Sequence, residues 1–241
     1  MIDFMKEFDK FVSNYDMDNE RIKLKYNHSY RVMKLSEKYS KIIGFSKEDI
    51  ELSKVIGLLH DIGRFEQVKL YNTFNDKESV DHALLGVKLL FEDGRISKFW
   101  DKEEDYEIIK YSILNHNKYI LEEIDDDRIM KHAKLIRDVD KLDIVFLEGK
   151  LDEVKIRATN EPITKEIKDS FYRHETIDLK YKKVLNDYLV LYFAFIYDLN
   201  YKECLIEMKE NLKYLYNVIG HKEIFKDYYD EICKYVKERI D

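Results

Sequence analysis

Apolar residues recur at spacings of three and four along most of the chain, which is the pattern of amphipathic helices. Persistent alternation of apolar and polar residues, as strands would show, is not found. One proline and seven glycines in 241 residues leave few points at which a helix must stop. The predicted helices are 3–15, 19–43, 47–62, 79–93, 102–117, 118–123, 127–148, 164–170, 181–198, 201–219 and 222–239.

These helices predict an all-α fold in a single domain, 1–241. Residues after Asp178 are richer in aromatic side chains, but no repeat or low-complexity segment separates them from the rest. We therefore expect the C-terminal helices to pack on the same core. A small separate helical subdomain would show the same pattern and is the alternative.

Several polar residues occupy positions where the helical period calls for apolar ones. In helix 19–43, His28 shares a stripe with Leu24, Leu35, Tyr39 and Ile42. The six inward polar residues are His28, His60, Asp61, His82, His116 and Asp140. Two of them are adjacent, because the apolar run "KVIGLLHDIGR" ends in His60 and Asp61.

Taken singly, an inward histidine is usually a satisfied core residue, and Asp140 could form an ion pair with Arg137 or Lys141. Four histidines and two aspartates together favour another interpretation. Imidazole and carboxylate are the ligands of Zn, Mn, Fe and similar divalent ions. A bound cation would also remove the cost of burying the carboxylates.

Composition limits the partners. The chain carries 42 Lys and Arg against 49 Asp and Glu, a net charge of −7, which argues against polymeric nucleic acid and anionic membranes as partners. The longest apolar block, 188–199, is too short to span a bilayer, and the N-terminus does not resemble a secretory signal. Cys204 and Cys233 have no metal-site or disulfide spacing, so we expect free thiols and a cytoplasmic location.

The motifs "GLLHDIGR" and "RDVDKLD", in that order with His28 upstream, resemble the HD-domain superfamily of metal-dependent phosphohydrolases. The resemblance covers 19–148 and implies a helical HD bundle as the metal-binding core, with 149–241 as a C-terminal helical extension. It implies that one metal is bound by His28, His60, Asp61 and Asp140. His82 and His116 match the extra histidines of the subset with a second metal, in which Asp61 bridges both ions.

The implied reaction is hydrolysis of a phosphomonoester or phosphodiester, with a nucleotide or small phosphorylated metabolite as the substrate. Two divalent ions about 3.5 to 4 Å apart can activate a hydroxide and stabilise the attacking and leaving oxygens. The implied cofactor is one or two divalent ions from the group Mn, Fe, Ni, Zn, Co and Mg. No protein nucleophile is needed, and the sequence shows no convincing Ser-His-Asp or Cys-His arrangement.

Cations near the site should assist at the phosphate. Arg64 follows His60 by four residues, where the family often carries a lysine, and with Asp61 it is the predicted catalytic residue. Arg31, one turn after His28, and Lys141 are further predicted substrate contacts. Asp81 is expected either to orient His82 or to favour the start of its helix.

Two other functions remain open at this point. Some HD-domain proteins are di-iron oxygenases that use the same ligand cage to activate oxygen. The chain could also be a non-catalytic regulatory module that binds metal and nucleotide, although all six ligand positions are filled. A homodimer is a further open alternative.

Overall fold

The computed structural model describes residues 2–150 and 158–240, and every regular element in these ranges is helical. The predicted all-α fold is confirmed. The α-helices are α1 (Phe4–Val12), α2 (Glu20–Ile43), α3 (Lys47–Leu59), α4 (Ile62–Tyr71), α5 (His82–Val87), α6 (Tyr106–Asn115), α7 (Asp127–Lys150), α8 (Lys165–Tyr172), α9 (Leu185–Ala194), α10 (Lys202–Val218) and α11 (Lys222–Ile240). A π-helical turn, Lys88–Glu92, follows α5.

The chain divides into two compact units, Met1–Asp140 and Lys141–Asp241, and the division falls within α7. The core of the first unit contains Phe8 and Phe65, both fully buried. The second unit is built around Phe171, Phe193 and Phe225, which are equally buried. The single domain with an extension from residue 149 stays a prediction, and part of the segment after that residue, 151–157, lies outside the described residues.

The apolar stripe predicted for α2 is only partly correct. His28 and Tyr39 are buried, but Leu24 and Ile42, at the two ends of the stripe, are 48% and 55% exposed. The buried face instead includes three serines, Ser29, Ser36 and Ser40. Small side chains occupy this face because α3 packs closely against it.

Two local predictions between α3 and α7 are wrong. The helix predicted to end at residue 62 breaks at residues 60 and 61 and restarts as α4. The helix predicted over 118–123 does not form. There the buried Arg137 donates through Nη1 to the carbonyl oxygens of Asn115 and Lys118, at 2.6 and 2.8 Å. Those acceptors are the ones that a continuing helix would need.

Aromatic side chains make contacts within each unit. In the second unit the ring of Phe171 packs edge-on against Tyr197 and Tyr228, at centroid distances of 5.2 and 4.9 Å. In the first unit the single tryptophan of the chain, Trp100, donates from Nε1 to Asp105 Oδ2 at 2.9 Å. Of the tyrosines in the second unit, Tyr228 and Tyr235 are buried, whereas Tyr172, Tyr188 and Tyr214 are exposed.

In the described part of the chain, the helices lack the combination of length and apolarity that a membrane span requires.

Candidate metal centre

The break between α3 and α4 presents two adjacent side chains to the interior. His60 ends α3, and its ring Nδ1 lies 2.8 Å from the carbonyl oxygen of Gly57. Asp61 stands at the N-cap position of α4 but makes no capping hydrogen bond. Both residues are buried, with 0% and 2% exposure. The Asp61 carboxylate is therefore directed at other side chains rather than at its own helix.

A close approach of α2 and α3 brings His28 to this break. A Cβ added at Gly57 would lie 2.4 Å from Ser36 Oγ and 3.0 Å from Met33 Cα, so the contact needs glycine. With the helices this close, His28 Nε2 lies 3.2 Å from His60 Nε2.

A second close approach, between α4 and α5, delivers His82. A Cβ at Gly63 would lie 2.1 Å from the carbonyl oxygen of His82 and 2.6 Å from Gly86 N. His116 joins from the C-terminal end of α6, where its ring Nδ1 lies 2.7 Å from the carbonyl oxygen of Ile113. The Nε2 atoms of His82 and His116 are 3.1 Å apart.

One group of inward atoms surrounds Asp61 Oδ2. His28 Nε2 lies 3.4 Å from that oxygen and 3.1 Å from Asp140 Oδ1. His60 Nε2 is 3.5 Å from each of the same two oxygens. Ligand atoms about 2.1 Å from one divalent ion lie roughly 3.0 to 3.4 Å apart in octahedral or tetrahedral geometry. The spacing of this group therefore fits a common cation.

The other Asp61 oxygen faces the remaining histidines. His82 Nε2 lies 3.2 Å from Asp61 Oδ1, and His116 Nε2 lies 3.7 Å from it. The two oxygens of the Asp61 carboxylate thus lie next to two different sets of histidine ring nitrogens. The structure brings together all six residues that the sequence singled out.

Hydrogen bonds on the far side of three rings decide which nitrogen can face inward as an acceptor. The rings of His60 and His116 donate from Nδ1 to backbone carbonyl oxygens, so that Nε2 of each ring is directed inward. His82 Nδ1 lies 2.6 Å from Asp76 Oδ2, which fixes the same tautomer. A partner of this kind on the second ring nitrogen is typical of metal-binding histidines.

The pKa values agree with a site that attracts cations. Burial raises the pKa of Asp61, but the Lys25 ammonium and the His60 ring hold it well below its usual range. Burial likewise opposes ionisation of Asp140, and the His28 and His60 rings facing it nonetheless keep its pKa well below normal. Both carboxylates are ionised at neutral pH.

The two histidines of the second set differ. Burial lowers the pKa of His116 to about 4, so its ring is neutral at pH 7. Burial also lowers the pKa of His82, but hydrogen bonds to Asp61 and Asp76 reverse the direction and raise it. The ionised carboxylates and the neutral His116 ring are acceptors that face one another, and the raised pKa of His82 reflects the same surplus of acceptors. A bound cation would compensate them in place of protons. The donor set therefore fits divalent metal ions.

Two contributing residues escaped sequence reasoning. Lys25 Nζ lies 2.5 Å from Asp61 Oδ2, and its position three residues before His28 on α2 was a usable signal. Asp76, the partner of His82, lies in the segment between α4 and α5, where no helical period could point to it. Asp81 instead caps α5 by accepting from the backbone N–H groups of Ala83 and Leu84.

The predicted substrate contacts lie in different settings. Arg64 Nε is buried, makes no hydrogen bond and lies 3.5 Å from Asp61 Oδ1. Arg31 is half-buried on α2, one turn after His28. Lys141 Nζ lies 2.7 Å from Asp198 Oδ2, so its ammonium forms an ion pair within the second unit. Their roles at a phosphate stay predictions.

A separate buried Ser-His-Asp grouping is structural. Ser53 Oγ lies 3.1 Å from His132 Nδ1, and His132 Nε2 lies 3.2 Å from Asp49 Oδ1. Ser53 is 2% exposed and its hydroxyl also lies 2.7 Å from the Asp49 carbonyl oxygen. Asp49 is in turn paired with Arg128 and Lys131. The buried hydroxyl is engaged by the Asp49 carbonyl oxygen and the His132 ring, so the grouping links α3 to α7.

The first unit is thus a helical domain in which inward histidines and aspartates cluster at a helix break and could hold a metal ion. Comparison with protein families gives one match, to the HD domain, over residues 26–144. These residues belong to the HD-domain family, as the sequence motifs predicted. No curated protein and no solved structure matches the chain. HD domains bind divalent metals, and the family suggests a metal-dependent phosphohydrolase.

Proposed function

We propose that this protein is a metal-dependent phosphohydrolase that cleaves a phosphate ester of a nucleotide or small metabolite. The observation that carries the proposal is the shared carboxylate, because Asp61 Oδ2 and Oδ1 face two separate groups of histidine nitrogens. One ion would be held by His28, His60, Asp61 and Asp140, and a second by Asp61, His82 and His116. Bound there, divalent ions supply Lewis acidity and a nucleophile generated from water at neutral pH.

The chain's own residues prepare the site in two ways. The inward carboxylates are ionised, and the neutral ring of His116 presents a lone pair toward the site. The side chains of Asp61, His28 and His82 are at most 3% exposed, which limits competition from bulk water.

Arg64 would contribute charge at the phosphate. Its Nη1 donates to Gln67 Oε1, the Phe74 carbonyl oxygen and Asp76 Oδ1, all within 2.8 Å. These contacts fix the guanidinium while its buried Nε remains without a hydrogen bond beside Asp61. A buried donor without a partner is costly, and a substrate oxygen at this point would satisfy it.

The test combines metal analysis with a phosphoester screen. Protein purified without chelator should contain divalent metal and hydrolyse at least one phosphomonoester or phosphodiester from a panel. Asp61→Ala should lose both the metal and the activity. Asp93→Ala is the matched control, because Asp93 is an exposed carboxylate whose side chain is 44% accessible and contacts Arg95.

Three results would contradict the proposal. Activity that survives Asp61→Ala would remove the shared carboxylate from the mechanism. Oxygen consumption by reduced, iron-loaded protein without phosphoester cleavage would instead favour an oxygenase. Tight nucleotide binding by metal-loaded protein that leaves every ester intact would favour a regulatory module.

A further inference from the structure

Two cations on different helices meet beside the candidate metal ligands. Lys25 on α2 and Arg64 on α4 are both mostly buried, with side chains 16% and 14% exposed. Lys25 Nζ lies 5.5 Å from the centroid of the Phe74 ring, and Arg64 Cζ lies 5.6 Å from the same centroid. One aromatic ring therefore supports both charges, as cation–π contacts allow.

Phe74 is fixed to this place by its main chain as well as by its ring. Its carbonyl oxygen accepts from Arg64 Nη1 at 2.7 Å. Two residues later, Asp76 accepts from Arg64 through Oδ1 and bonds His82 through Oδ2. The segment between α4 and α5 thus aligns both cations and one histidine ligand at once.

Lys25 and Arg64 lie near different oxygens of the Asp61 carboxylate. Lys25 Nζ contacts Asp61 Oδ2 at 2.5 Å, and Arg64 Nε approaches Oδ1 to 3.5 Å. Two like charges held on one ring repel each other, and they are offset by the carboxylate of Asp61 and, for Arg64, also by that of Asp76. If cations occupied the histidine groups, the charge of Asp61 would be shared with them, and the positive charge left on this side of the site would favour an anion.

We propose, on the basis of the function proposed above, that Lys25 and Arg64, aligned by the positioning residue Phe74, form a two-cation clamp for a terminal phosphate group. The substrate is accordingly a phosphomonoester dianion rather than a phosphodiester. At neutral pH a monoester carries close to two charges and three terminal oxygens that accept hydrogen bonds. A diester carries one charge and places an uncharged substituent where a clamp needs a charged oxygen.

The reaction leaves the clamped group as inorganic phosphate. A P–O bond forms to the oxygen of water, the P–O bond to the alcohol breaks, and a proton from the water ends on the leaving oxygen. Because the clamp contacts the phosphate and not the alcohol, inorganic phosphate alone is a suitable probe for it.

The experiment measures phosphate binding by calorimetry on protein loaded with the divalent ion that metal analysis identifies. Lys25→Met should weaken the phosphate Kd about tenfold, the usual effect of removing one hydrogen bond to a charged group. Lys23→Met is the matched control on the same helix, since Lys23 is 49% exposed and contacts Glu20. Phe74→Leu should weaken binding about threefold to tenfold through loss of the cation–π contacts, and Phe74→Tyr should restore it.

Activity gives a second measurement. With p-nitrophenyl phosphate and bis(p-nitrophenyl) phosphate as probes, wild type should prefer the monoester in kcat/KM. Lys25→Met and Phe74→Leu should raise KM for the monoester more than they lower kcat, with metal content unchanged. Loss of metal in Phe74→Leu that Phe74→Tyr does not restore would mean that the segment only supports the fold, which overturns the clamp.

The two proposals fail in different ways. A phosphate Kd of Lys25→Met equal to that of Lys23→Met, or a wild-type preference for the diester, overturns the clamp and leaves the hydrolase intact. Lys25-dependent phosphate binding without cleavage of either ester or of any phosphoester in the panel supports the anion clamp and overturns the hydrolase.

Discussion

Replacing Gly63 by alanine tests whether the contact between α4 and α5 builds the second half of the metal centre. The new Cβ would lie 2.1 Å from the His82 carbonyl oxygen, where real Cβ contacts do not come closer than 3.0 Å. The two helices must therefore separate by about 1 Å. His82 begins α5, so the displacement acts directly on the residue whose Nε2 faces Asp61 Oδ1 at 3.2 Å.

The size of the effect follows from this displacement. Overpacking of a core costs about 1 to 3 kcal/mol, which in a chain of this length lowers Tm by about 2 to 10 °C. Metal–ligand distances tolerate only about 0.2 Å, so His82 would no longer reach an ion held by Asp61. We expect the affinity for the second ion to fall at least about tenfold to hundredfold, since changes around such ligands already have that effect.

Gly86→Ala is the matched control, because its Cβ would meet Ile62 Cγ2 at 3.2 Å and Gly63 N at 3.3 Å, contacts that small shifts relieve. The assay is metal content per chain by mass spectrometry, with Tm measured with and without chelator. Gly63→Ala should lose metal and the stabilisation that metal gives, whereas Gly86→Ala should retain both. Wild-type metal content and Tm in Gly63→Ala would refute the reasoning.

Three further predictions concern residues around the centre. Asp76→Ala should lower metal affinity about tenfold to hundredfold in a chelator competition, because His82 loses the partner that fixes its ring, and wild-type affinity would exclude that role. Burial lowers the pKa of His132 to about 4, so the unfolded chain binds more protons below pH 6.5 and the free energy of unfolding should fall between pH 6.5 and 4. In chelator, the free energy of unfolding of His132→Gln, measured with urea, should fall by about 3 kcal/mol less than that of wild type over this pH range, and an equal fall would assign the effect to another group. Arg137→Met should lower the free energy of unfolding by about 2 to 4 kcal/mol, since the carbonyl oxygens in 115–118 lose their donor, and a loss under 1 kcal/mol would show that water replaces it.

The long helices could be predicted closely from the sequence because their periods and caps agree. Asn19 and Ser46, for example, cap α2 and α3 through side-chain oxygens that accept backbone N–H groups. The helix α4, Ile62–Tyr71, was missed, since no helix was predicted between residues 62 and 79. Glycine is needed at position 63 because the backbone of α5 lies against it. This is a tertiary contact, which a local sequence pattern does not show.

For the candidate site as well, residues on regular helices could be predicted and residues in an irregular segment could not. Inward polar residues on helices were predictable, because a period makes an aspartate such as Asp140 conspicuous among apolar neighbours. Lys25 was within reach of the same reasoning but was hidden by the usual interpretation of lysine as a surface residue. Asp76 and Phe74 lie in an irregular segment, where only the folded chain shows that they contact His82 and Arg64.

The position of Trp100, which is held in the first unit by its hydrogen bond to Asp105, has a spectroscopic consequence. As the single tryptophan, Trp100 lies in the unit Met1–Asp140, so fluorescence excited selectively in its indole reports the opening of that unit alone. Circular dichroism reports helices from the whole chain. Superimposable denaturation curves from the two signals would demonstrate one cooperative transition, and separated curves would resolve the melting of the two units without any engineered label.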